Sequence, residues 1–179
     1  MVAKSNIIAL LVGAIILLSA FTTFQSTNWQ VAEGYTIRFT SKDPSGIFTK
    51  MTGDISFDEN KLDESKFTMT VEVASINTGS GMKNKHAKNE KWFDAKQFPY
   101  INFVSDKFTK TASGYQVTGT LEMHGVKKEV SIPFTFANNT FIGSFNVNRL
   151  DYKVGGSTGM SGKASTDIKI DLSVPVSKK

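Results

Sequence analysis

His86 and His124 are the only imidazoles in this 179-residue chain, and cysteine is absent. Thiol nucleophiles, disulfides, zinc–thiolate sites and iron–sulfur clusters are therefore excluded, as is any site of three or four histidines. His86 recurs at helical spacing with Met82, Asn89 and Phe93, which reads as a satisfied buried histidine. His124 stands beside Gly125 in a turn pattern, where a backbone-capping role is expected. The alternative is a metal shared by both histidines and a carboxylate. No serine sits in a nucleophile elbow, so a Ser-His-Asp arrangement is not expected. The pairs Asp58-Glu59 and Asp63-Glu64 lie in polar, turn-like stretches and read as solvated loop charges. The glycine-rich segment from Gly155 to Ala164 resembles a phosphate loop only superficially. Ser157 and Ala164 break that pattern, and no helix signal follows it. It reads as a loop joining two strands.

Arg149 is more informative. It continues the inward parity of Phe141, Gly143, Phe145 and Val147. A guanidinium in an apolar interior needs a partner. That partner is either a carboxylate such as Asp151 or Asp94, or an anionic or carbonyl head group at a cavity mouth. Charge adds little: 21 basic and 16 acidic residues give a dispersed net +5, so nucleic acid is not an expected partner. Lys83, Lys85, Lys88 and Lys91 form a solvated face that can also approach anionic lipid transiently.

The elements that must position these residues are mostly strands. Apolar residues alternate with polar ones over Tyr35–Phe39, Phe67–Val73, Tyr115–Met123, Val130–Phe136, Phe141–Val147 and Ile168–Val174. Turn signals separate them at Asp43-Pro44-Ser45-Gly46, Ser113-Gly114, His124-Gly125 and Asn138-Asn139. Alternation slips between Phe48 and Ile55 and between Phe103 and Phe108, which predicts bulges. Gly119 and Gly143 fall on inward parity, where a sheet can curve sharply. Pro133 faces outward and argues against a central ladder position there. The pattern predicts an all-β fold, an antiparallel barrel rather than a sandwich. One short helix is expected from about Met82 to Trp92.

Lys4 and the apolar run from Ile7 to Leu18 read as a secretory leader, too short to span a bilayer. Residues 1–20 are assigned to it, with cleavage between 20 and 26, and residues 27–179 to a single domain. Export to a periplasm is expected, with release outside the cell as the alternative.

The order of short motifs is specific. Val73-Ala74-Ser75-Ile76-Asn77-Thr78-Gly79 precedes His86, Trp92-Phe93-Asp94 and Phe98-Pro99-Tyr100-Ile101-Asn102-Phe103. Then come Gly114-Tyr115-Gln116-Val117-Thr118-Gly119, Leu121-Glu122-Met123-His124-Gly125-Val126 and Asn148-Arg149-Leu150-Asp151-Tyr152. This arrangement closely resembles the YceI-like family of polyisoprenoid-binding domains, over essentially all of the mature chain. The resemblance implies an extended lipocalin-like barrel with a helical insertion. It also implies an elongated apolar cavity for an isoprenoid or related lipid, and no catalytic mechanism. The stretch Ser41–Gly46 and the glycine-rich loop Lys153–Lys163 depart from the family's usual form.

Inward parity and the resemblance together nominate a cavity wall of Phe39, Phe67, Met69, Val71, Tyr115, Val117, Leu121, Phe134, Phe145 and Ile170. Arg149, Asn148 and His86 are nominated for a polar head group. No catalytic residue, metal or cofactor is expected beyond a bound polyisoprenoid or quinone-like lipid. The expected function is that of an exported lipid-binding protein for transport or storage, acting as a monomer or a homodimer. The alternative is a filled, ligand-free barrel serving as an interaction or stress-response module. A lipid hydrolase or isomerase would need one of the histidines inside the cavity.

Overall fold

The computed structural model describes residues 27–159, 162 and 164–179. The leader expected over residues 1–20, with its cleavage region to 26, lies outside the described residues. Eleven strands form one antiparallel sheet that closes on itself. They are β1 (Asn28–Val31), β2 (Thr36–Thr40), β3 (Gly46–Phe48), β4 (Met51–Ser56), β5 (Lys66–Glu72) and β6 (Ile76–Asn77), followed by β7 (Tyr100–Thr111), β8 (Gly114–Met123), β9 (Val126–Ala137), β10 (Thr140–Asn148) and β11 (Asp167–Lys178). Three staves are broken in two. β1 and β2 both pair with β11, β3 runs on into β4, and β5 runs on into β6. The architecture is therefore a closed eight-stranded antiparallel barrel with one short helix, α1 (Gly81–Ala87).

The alternation dictates which face is inside. In β8, Tyr115, Val117, Gly119, Leu121 and Met123 are buried while their neighbours are half-exposed. The β8–β9 and β9–β10 hairpins turn on His124-Gly125 and Asn138-Asn139, all four with positive φ. Such two-residue turns match the twist of the strands they join.

Both slips in alternation are real interruptions. The first separates β3 from β4 at Thr49-Lys50, and the Tyr35 hydroxyl bridges the break. It donates to the Thr49 carbonyl and accepts from the Met51 amide, each at 2.9 Å. The second is a register shift between Ser105 and Lys107 against β8. Gly119 lies opposite it. A Cβ there would run into the Val104 carbonyl and stand 2.8 Å from the Phe103 ring. Pro133, contrary to expectation, stands inside the wall opposite Gln116, but one residue past the last β9–β10 pair, Phe134 with Gly143. Beyond that pair the β9–β10 ladder stops, although both strands continue.

The helix departs from expectation. It ends at Ala87 rather than Trp92, and none of its residues is buried. Met82 is 72% exposed, and His86 and Asn89 face solvent. Two local competitors explain this. Asn84 accepts from the Thr78 amide and hydroxyl at 2.8 and 2.7 Å, so the helix docks through a polar side chain. The Asn89 carboxamide accepts from the Lys91 amide at 3.0 Å and turns the chain out of the helix.

The α1 end of the barrel gathers residues 41–45, 78–99, the His124-Gly125 turn, 149–159 and 164–166. The far end gathers residues 57–65, the 112–113 and 138–139 hairpins and the C-terminus. A small apolar cluster of Ile37, Phe39, Phe48 and Ile76 packs with Ala87 and Phe93 at the α1 end. The main core lines the rest.

Candidate functional site

The far third of the barrel is filled by rings. Phe57, only 1% exposed, meets Phe67, Phe108, Tyr115, Phe134, Phe136 and Phe141 at centroid distances of 5.3–6.2 Å. The polar atoms of this layer are satisfied at its rim. Trp29 Nε1 donates to the Phe57 carbonyl at 3.0 Å, and the Tyr115 hydroxyl donates to Glu59 Oε1 at 2.5 Å. That bond, more than burial, pushes the Tyr115 phenol up to about 12.

Above the rings the barrel is hollow. A cavity of about 210 Å³ runs from Phe67, Phe134 and Phe141 to Arg149. Among the described residues, Arg149 is the only one lining it with a polar side chain. A dry apolar cavity of roughly 150 Å³ already holds a benzene-sized guest. The alternatives of a filled and a hollow barrel thus apply to different levels of the same barrel.

The ten nominated wall residues divide. Phe67, Met69, Val71, Val117, Leu121, Phe134, Phe145 and Ile170 line the cavity. Phe39 does not, because its ring packs against Phe48 at 5.7 Å beneath the helical segment. Nor does Tyr115, which stacks on Phe134 at 5.5 Å in the filled layer. Lining residues not nominated include Ile37, Ile101, Phe103, Ile168, Leu172 and Val174. Most share the parity of a nominated neighbour, which was the available signal.

The polar nominations fare differently. Arg149 closes the α1 end of the cavity at 5% exposure. Its guanidinium donates to the carbonyls of Ser165 and Val154 at 2.8 Å each, Ala164 at 3.2 Å and Gly156 at 3.3 Å. The Trp92 ring covers it. Burial lowers its affinity for its proton, and the carbonyl cage offsets that cost. Of the two carboxylates named as its possible partner, Asp151 and Asp94, the first pairs with Lys128 at 3.4 Å. Asn148 is not directed at a ligand, since its side chain accepts from the Leu150 amide at 3.0 Å and caps the turn that carries Arg149. His86 is exposed on the outer face of α1, not buried and not at the cavity.

The remaining candidates for chemistry are scattered. His124 Nδ1 lies 3.2 Å from the Tyr152 carbonyl, with its ring against Phe98 in the turn, as its position suggests. Among the described residues no three His, Asp or Glu side chains are gathered as metal ligands. Among the described residues no α-helix stands between the glycine-rich segment and β11, so a phosphate site of the loop-and-helix kind is not formed there.

A family model described as "YceI-like domain" matches residues 22–176. A UPF0312 protein of Photorhabdus laumondii is 33% identical over 85 residues, which is 48% of this chain and 44% of that protein. The crystal structure of BcnA from Burkholderia cenocepacia superposes with a TM-score of 0.72 at 30% identity, covering 80% of this chain and 96% of that one. A polyisoprenoid binding domain from Saccharophagus degradans has the same fold, with a TM-score of 0.62 at 13% identity, over 87% of this chain and all of that one.

Proposed function

Since this chain belongs to the YceI-like domain family, we propose that it is an exported lipid-binding protein. In this reading it holds a polyisoprenoid or similar long-chain amphiphile in the barrel cavity, for transport or storage. The observation that carries this is the cavity of about 210 Å³ in whose wall, among the described residues, Arg149 has the only polar side chain. Such a wall recognises nothing by hydrogen bonds. It rewards burial of hydrocarbon, at about 0.8 kcal/mol per methylene. A few isoprene units suffice for tight binding, so selectivity must come from shape. Met51, Met69 and Met123 in the wall can adapt to methyl branches. The ring layer gives the chain a floor. Arg149, at the opposite end, is where a polar head would arrive.

The test is mass spectrometry of an organic extract from protein isolated without detergent after export from a bacterial host. A stoichiometric prenyl lipid or quinone is expected. If neither that extract nor lipids of the source organism supply a bound chain, the carrier reading fails.

A further inference from the structure

We propose that the α1 end of the barrel is a docking surface for an anionic lipid bilayer. Residues 78–99 carry five lysines against two carboxylates, a net of +3. At the far end, residues 57–66 carry four carboxylates against two lysines, a net of −2. The barrel is therefore electrically polarised along its axis, and a negative surface turns its α1 end inward. The helix at that end buries none of its own residues. Met82, at 72% exposure, projects from it beside Lys83 and Lys85, and Tyr100, at 52%, emerges from the same end. An exposed apolar side chain ringed by ammonium groups fits an interface of phosphates over acyl chains, where both kinds of group gain. Seven residues are too few for a membrane-embedded amphipathic helix, so the contact is superficial and mainly electrostatic. It brings the Arg149 end of the cavity toward the bilayer, a consequence that rests on the carrier reading.

The experiment is flotation of the exported chain with vesicles of phosphatidylcholine alone or mixed equally with phosphatidylglycerol. Binding to the mixed vesicles should be at least ten-fold stronger and should fall with added salt. Each exposed lysine lost weakens it about five-fold, so K85E/K91E removes most of the difference between the vesicles. M82D should reduce binding several-fold. K107E/K110E, the same charge change on the far half of the barrel, should leave it unchanged. Equal binding to both vesicles overturns the proposal, as does equal sensitivity to K107E/K110E and K85E/K91E. Self-association without vesicles that K85E/K91E abolishes also overturns it, in favour of a second copy as occupant. Lipid content in organic extracts of the same proteins separates the two readings. Bound lipid without vesicle preference refutes docking alone, and vesicle preference without bound lipid refutes the carrier reading alone.

Discussion

The centroid of the Trp92 ring lies 5.3 Å from the guanidinium carbon of Arg149. This contact and the four carbonyls from residues 154–165 tie two covers of the barrel to one buried cation. The loop after β10 is held by its hydrogen bonds, and the segment after α1 by its face.

Arg149→Met would leave those carbonyls without their donor. We expect a loss of about 3 kcal/mol in urea unfolding. Arg149→Lys should recover only part of it, because a compact ammonium cannot reach carbonyls spread around a planar fork. Full recovery in the lysine variant would show that charge alone is what this site requires.

Substitutions by tryptophan distinguish the two levels of the barrel. Phe67 stands among packed rings, 4.8 Å from Phe108 and 5.3 Å from Phe141. Phe67→Trp should overpack and cost about 1–3 kcal/mol, measured on delipidated protein. Leu121 faces the hollow level. Leu121→Trp should be tolerated within about 1 kcal/mol and should lower the amount of lipid recovered in extracts.

Tyr115 gives a sign in alkali. Its phenol is raised from an ordinary value near 10 to about 12, first by the bond to Glu59. A group whose folded pKa is raised contributes its full stabilisation below the unfolded pKa and loses it as pH rises toward the folded one. Its share of stability should therefore be constant below pH 10 and fall between pH 10 and 12. Tyr115→Phe should remove that component at a cost of about 1 kcal/mol near neutrality. Parallel stability–pH curves for the two proteins above pH 10 would count against the assignment.

Gly119→Ala tests the bulge. The added methyl group meets the Val104 carbonyl and, at 2.8 Å, the Cα of Ser105. Backbone cannot yield as a flexible side chain can, so a loss of about 2 kcal/mol or more in thermal or urea unfolding is expected.

The barrel was legible because its signal is periodic. β8 places Tyr115, Val117, Leu121 and Met123 inward as their parity requires, and both slips in alternation mark true interruptions. What periodicity could not separate is depth along the axis. Phe39, Tyr115 and Leu121 all face in, yet one packs under the helical segment, one joins the rings and one lines the cavity. Phe57 escaped notice because it follows β4 in an acidic loop, outside any alternating run. The helix was misread for a different reason. Met82 and His86 have the spacing of a buried face, but Asn84 and Ala87 hold the contact. Arg149 was found by parity, and its need for a partner by electrostatics. That the partners are carbonyls of the loop directly following it is a matter of that loop's irregular path, which no periodic pattern contains.

The parting of β9 from β10 changes what closes this container along one seam. A barrel with every ladder complete has a girth fixed by strand number and shear. Here the stretch from Val126 to Ile132 and the stretch from Ser144 to Asn148 face each other without a ladder. Along that seam the circumference is held by side chains such as Val130 and Phe145, which pack against the core. A guest held in the cavity would meet, along that seam, a wall closed by side chains instead of backbone hydrogen bonds.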